Sequence, residues 1–169
     1  MKISPEVLLR FNIGLPVHIV KSLYPILGKE ETLELVRKAA EENVKASAAS
    51  PYYDGPRFKS LSEFLDRGQW KFAQFLTEPV HWNSVLVGKT TVIDPTSIEL
   101  SENKLCFKIT KCMWAELYKE LDAAEIGKAS CCDSDFPRAK VWSPKLDLVR
   151  TQTIMEGAPY CDFCYSWKD

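Results

Sequence analysis

Apolar residues in the first half of the chain recur at helical spacing. Ser4 precedes Pro5, a favoured first helical residue, and Val7, Leu8, Phe11, Leu15, Ile19, Leu23 and Ile26 follow, with Gly28 as a stop. Pro16 and Pro25 are expected to separate or kink these turns, because proline lacks the amide a helix needs. Over residues 30–49, Leu33, Val36, Ala40 and Val44 form one stripe among charges, which predicts an amphipathic helix. Residues 50–56 read as a turn-rich loop. Ser60 and Glu63 supply a capped start for a helix whose core face carries Leu61, Phe64, Leu65, Trp70, Phe72 and Phe75.

After Pro79 the period changes. Residues 80–87, 97–100 and 104–110 are short and β-branched or alternating; in the last, Leu105, Phe107 and Ile109 share one face and Lys104, Cys106 and Lys108 the other. Cys112 then opens a helix with Trp114, Leu117, Tyr118 and Leu121 on one side, and a shorter helix or turn runs from Ala124 towards a cysteine pair. Residues 145–155 and 160–167 are expected to form a hairpin around the turn at 156–159. Helices first and a sheet afterwards predict an α+β fold, N-terminal helices packed on a C-terminal antiparallel sheet. The chain is expected to be a single domain over 1–169, mainly helical over 1–78 and sheet-containing, with the cysteine cluster, over 79–169.

Charge narrows the function. The 22 basic and 23 acidic residues leave a net charge of -1, which disfavours nucleic acid and anionic membrane as partners. No apolar run approaches a membrane span, and the N-terminal apolar run is broken by Arg10, Asn12 and Pro16, so a cytoplasmic protein is expected. Five tryptophans and eight phenylalanines suggest a large aromatic core and leave room for an apolar patch and a homo-oligomer.

The six cysteines, 106, 112, 131, 132, 161 and 164, are expected to be thiols, since reducing compartments do not maintain disulfides. Cys161-Asp162-Phe163-Cys164 is formally C-x-x-C. In a pleated strand its two sulfurs point to opposite faces, and adjacent Cys131 and Cys132 rarely chelate one ion, so no metal is expected. Cys106 and Cys164 are read as small buried apolar residues. Cys131-Cys132-Asp133-Ser134-Asp135-Phe136-Pro137-Arg138 differs, crowding two thiols, two carboxylates and a guanidinium into one polar segment. A thiolate beside an arginine is nucleophilic at neutral pH, and a carboxylate can orient water or take a proton. Arg150 alternates onto a mostly apolar face with Leu148, Gln152 and Ile154, so it needs an anionic partner: Asp133, Asp135, Asp162 or a substrate carboxylate. Of two histidines, His81 is the better base and His18 reads as a packing or surface residue.

Four spaced motifs carry a family resemblance. Ile109-Thr110-Lys111-Cys112-Met113-Trp114-Ala115-Glu116-Leu117, then Cys131-Cys132-Asp133-x-Asp135, then Leu148-x-Arg150-Thr151-Gln152-Thr153-Ile154-Met155-x-Gly157, and Cys161-Asp162-Phe163 resemble the L-2-amino-thiazoline-4-carboxylic acid hydrolase family. That family often has Cys-Pro where this chain has Cys112-Met113, and a basic residue at the position of Cys164. The resemblance implies a cofactor-independent hydrolase that adds water to the amidine-like carbon of a small carboxylate-bearing ring and expels the ring sulfur. It implies Arg150 with Gln152 and Thr153 as anchors, Cys132 as nucleophile or proton donor, and Asp135 as base or orienter. Cys161 and Asp162 form the facing wall, Asp133 assists binding, and His81 and Cys112 stand behind these. Strand alternation puts Thr153 opposite Arg150, which favours Arg150. More weakly, the closing strands resemble small-ligand domains of the 4-vinyl-reductase type, which would make the same pocket a binding or sensing site.

Overall fold

The structure, a computed structural model, describes residues 4–49, 58–67 and 91–168. His81, the strand expected over 80–87, the loop at 50–56 and the core positions at Trp70, Phe72 and Phe75 lie outside the described residues.

Helix α1 (Pro5–Leu27) begins where Ser4 Oγ accepts the Val7 amide at 3.2 Å, and ends at Gly28, whose φ of 86° suits glycine. Pro16 and Pro25 do not separate its turns. Both prolines face solvent, as does Asn12 one turn before Pro16, so water meets the carbonyl that loses its partner. The helix buries Leu9, Ile13 and Val17, whereas Val7, Phe11, Leu15, Ile19 and Ile26 are exposed, Phe11 by 83%. Helix α2 (Lys29–Ala49) follows with Glu30 and Glu31 in its first turn, where a helix favours acids, and Thr32 Oγ1 donates to the Gly28 carbonyl at 2.6 Å. Helix α3 (Leu61–Arg67) is capped as its sequence predicts: Ser60 Oγ accepts the Glu63 amide at 3.1 Å and Glu63 accepts the Lys59 amide at 2.9 Å.

Strands β1 (Thr91–Leu100), β2 (Lys104–Cys112), β3 (Leu146–Val149) and β4 (Cys161–Trp167) pair antiparallel in the order β1-β2-β4-β3. The fold is the expected α+β one. Strand β1 is longer than its sequence suggests, because a register shift between Asp94 and Glu99 interrupts its alternation. Leu105, Phe107, Ile109, Cys161, Phe163, Tyr165 and Leu146 line the buried face of the sheet. Phe58, Phe64 and Trp142 cover it; the Phe64 and Tyr165 rings lie 5.0 Å apart and Phe107 and Phe163 stack at 5.4 Å. A second core joins α1 to Leu117, Tyr118, Ile126 and Met155.

Between β2 and β3 run helix α4 (Met113–Glu120), helix α5 (Ala124–Gly127), a π-helical turn (Lys128–Cys132) and helix α6 (Asp135–Trp142).

Two expectations are corrected. Strand β3 stops at Val149 instead of reaching Met155, and residues 154–156 form a 3-10 turn before Gly157. Asp162 is the cause: its carboxylate accepts the Thr151 amide at 3.0 Å, the Gln152 amide at 2.8 Å and the Thr151 hydroxyl at 2.6 Å, taking donors a ladder would use. Cys106 and Cys164 are not free core thiols either. The register of β2 and β4 sets them opposite each other, off the buried face, with Cα atoms 4.0 Å apart, and they form a disulfide. Among the described residues no helix is long and apolar enough to cross a membrane.

Candidate active site

Gly127 sets the local path of the chain. A Cβ there would stand 2.6 Å from Tyr118 Cγ and 2.7 Å from Met155 Cε, so only glycine lets α5 settle against both. The next turn widens to π geometry, closing with the Asp133 amide on the Lys128 carbonyl at 2.9 Å. Ser130 Oγ donates to the Ile126 carbonyl at 2.7 Å and Ser134 Oγ to the Cys131 carbonyl at 2.7 Å, pinning both sides of the cysteine pair. The Cys132 carbonyl remains for another donor.

Arg150 is that donor. Having left β3, it sends Nη2 to the Cys132 carbonyl at 2.8 Å and Nη1 to Asp135 Oδ2 at 2.7 Å, and its guanidinium lies 5.1 Å from the ring centres of both Phe136 and Phe163. Its side chain is 3% exposed and that of Asp135 28%, so the pair is sealed on the arginine side and open on the carboxylate side. Burial pushes the Asp135 carboxyl up from its ordinary value, against the opposing charges of Arg150 and Arg138.

Four thiols lie within electrostatic reach of Asp135. Cys161 projects inward from β4 and its Sγ accepts the Ile154 amide at 3.2 Å. Cys112, at the start of α4, lies within electrostatic reach of Cys161 and Asp135, as Cys131 and Cys132 lie within reach of Asp135 and Cys112. Burial raises all four above the ordinary thiol value: Cys112 to about 11, Cys131 and Cys132 far upward, and Cys161 upward against the Ile154 amide. Of the two roles expected for Cys132, nucleophile or proton donor, this burial disfavours the first, which needs a thiolate. Arg150 does favour the charged form of Cys132, but burial outweighs it.

Cys132, Asp135, Arg150 and Cys161 thus come together, with Cys112 and Cys131 alongside. The other polar candidates are engaged elsewhere in the fold. Asp133 accepts from Arg37 Nε of α2 at 3.0 Å and from Lys128 Nζ at 2.6 Å. Gln152 donates to the Tyr160 carbonyl at 3.0 Å, and buried Thr153 donates to Glu156 at 2.7 Å while accepting the Glu156 amide at 3.1 Å. Asp162 holds the 151–152 backbone. Sequence reasoning missed the two rings that flank Arg150; the signals were Phe136 beside Asp135 and Phe163 on the same strand face as Cys161. Among the described residues no three or more His, Cys, Asp or Glu are grouped so that they could hold a metal ion.

The described fold is a helix-covered antiparallel sheet, with an acid, thiol and guanidinium cluster between its last strand and a π-helical turn. The chain belongs to the L-2-amino-thiazoline-4-carboxylic acid hydrolase family, whose sequence profile matches residues 13–165. No curated protein matches it. Among solved structures it is similar to the phenol-responsive sensory domain of the transcription activator PoxR with phenol, at 10% identity and a TM-score of 0.43, over 99% of this chain and 76% of that one.

Proposed function

We propose that this protein is a hydrolase that opens a small ring at an amidine-like carbon between nitrogen and sulfur, on a carboxylate-bearing substrate of the 2-amino-thiazoline-4-carboxylate kind. One observation carries the reading: a carboxylate with an open side, Asp135, is held at 2.7 Å by a sealed arginine and lies within electrostatic reach of four thiols that burial raises above their ordinary value. A carboxylate can take a proton from water and a thiol can give one up. Water adds to the ring carbon as Asp135 takes one of its protons, the ring nitrogen takes the other from the added hydroxyl, the carbon–sulfur bond breaks, and the Cys132 thiol passes its proton to the departing sulfur as it receives the one held by Asp135, so that no thiolate is left in the buried site. One water hydrogen ends on sulfur, the other on nitrogen, and the oxygen becomes the carbonyl of an N-carbamoyl cysteine. Arg150 acts in this scheme as a positioning residue, keeping Asp135 ionised and aimed. Cys161 and Cys112 form the wall behind it.

The test is the formation of N-carbamoyl cysteine from L-2-amino-thiazoline-4-carboxylate, followed by mass spectrometry. Asp135→Asn is expected to lower the rate by about 10²-fold or more, as loss of a general base does. Cys132→Ser is expected to lower it as well, since a hydroxyl is a poorer acid than a thiol. Unchanged turnover in both variants, or none in the folded parent protein, overturns the reading.

A further inference from the structure

A groove of about 390 Å³ opens between α1, α2 and the far side of the π-helical turn. Its walls are aliphatic, with Val20 from α1 and Val36 and Val44 from α2, and Tyr118 and Ser130 form part of its floor. Of its lining residues only Arg138 carries a charge. Arg138 is half-buried on α6, and among the described residues it forms no ion pair. Its one side-chain hydrogen bond among the described residues goes to Ser134 Oγ at 3.5 Å, the long limit for such a bond. Ser134 has already given its own proton to the Cys131 carbonyl, so it can only accept, and most of the guanidinium's donors are left to the groove.

Arg150 shows the contrast. It is as sealed as Arg138 is available, its Nη1 and Nη2 spent on Asp135 and a carbonyl. A guanidinium fork matches a carboxylate through two parallel hydrogen bonds, and the groove is within the size range of small-molecule sites. We infer that this groove is a binding site for a small amphipathic carboxylate, its acid group paired to Arg138 and its apolar body against Val20, Val36 and Val44. An aliphatic wall favours an apolar body, and a guanidinium that forms no ion pair among the described residues favours an anion over a neutral or cationic head. The inference concerns binding alone; because the charge of Arg138 also bears on Asp135, its test reads binding directly and not through the hydrolysis of thiazolines.

The probes are 4-phenylbutyrate and its neutral counterpart 4-phenylbutanol, titrated into the full chain by calorimetry and followed through the valine methyl resonances. The acid is expected to bind one to one, shifting Val20, Val36 and Val44, at least tenfold more tightly than the alcohol. Arg138→Gln should abolish that preference and leave alcohol binding in place, while Arg138→Lys, which keeps the charge without the fork, should retain part of it. No saturable shift at the three valines, no preference for the acid, or a preference that survives Arg138→Gln in a protein with parental circular dichroism overturns the inference.

Discussion

Arg150 and Asp135 meet at 2.7 Å with the arginine closed off from water and the carboxylate not, so the charge that holds the acid in place is shielded while the acid itself is reachable. Removing the arginine would strand a partly desolvated carboxylate. Arg150→Met is expected to cost about 3 kcal/mol in urea unfolding, the lower end for breaking a buried pair because Asp135 keeps some solvent. Asp135→Asn, which leaves a hydrogen-bond acceptor for the guanidinium, should cost less.

The free thiols give a dependence on alkali. Cys112 holds its proton to about 11 when folded, against an ordinary value of 9.0. A raised folded value means that its stabilising contribution is complete below about 9 and is lost as pH rises through about 11. Thermal unfolding between pH 8 and 11 should show a steeper fall for the parent protein than for Cys112→Ala. Alkylation of the thiols at neutral pH should be slow in the folded state and fast in urea.

Two glycines should respond oppositely to alanine. At Gly127 the new methyl collides with Tyr118 and Met155, and overpacking of this kind costs about 1–3 kcal/mol. At Gly14, inside α1, a Cβ meets nothing within 4 Å, and replacing a mid-helix glycine is expected to stabilise by about 0.5–1 kcal/mol. Melting temperatures of the two variants would check both signs.

Asp162 gives an acid-side prediction. Burial pulls its carboxyl upward, but hydrogen bonds from Thr151 and Gln152 outweigh that and lower it below the ordinary value of 3.8. Its contribution is present above the ordinary carboxylate range and is lost as pH falls through the lowered value. Asp162→Asn should therefore flatten the acid limb of the stability curve, and hydrogen exchange at Thr151 and Gln152 should quicken.

The elements that repeat locally were readable in the sequence. The stripe of α2, the Ser60 and Glu63 cap, the alternation of Leu105, Phe107 and Ile109, and the order of helices before sheet all appear as expected. What failed to show was set by partners distant in the chain. Alternation carried the third strand as far as Met155, but a carboxylate eleven residues beyond Thr151 ends it at Val149. The apolar run of α1 was legible, yet which side faces inward depends on α4, and Leu9, Ile13 and Val17 were chosen over Phe11 and Leu15. In the site, proximity of Cys132, Asp135 and Arg150 could be argued from residue types. The protonation of the thiols could not, because burial opposes Arg150 and only the fold fixes how much burial there is.

The Cys106–Cys164 bond has a topological consequence. Cys112, Cys131, Cys132, Asp135, Arg138, Arg150 and Cys161 all lie between its two ends in the chain, so both the cluster and the arginine of the groove are carried within one covalent ring. A single backbone cut anywhere inside that ring leaves no fragment free to depart. The nicked chain would run as one species without reductant and fall into two pieces with it.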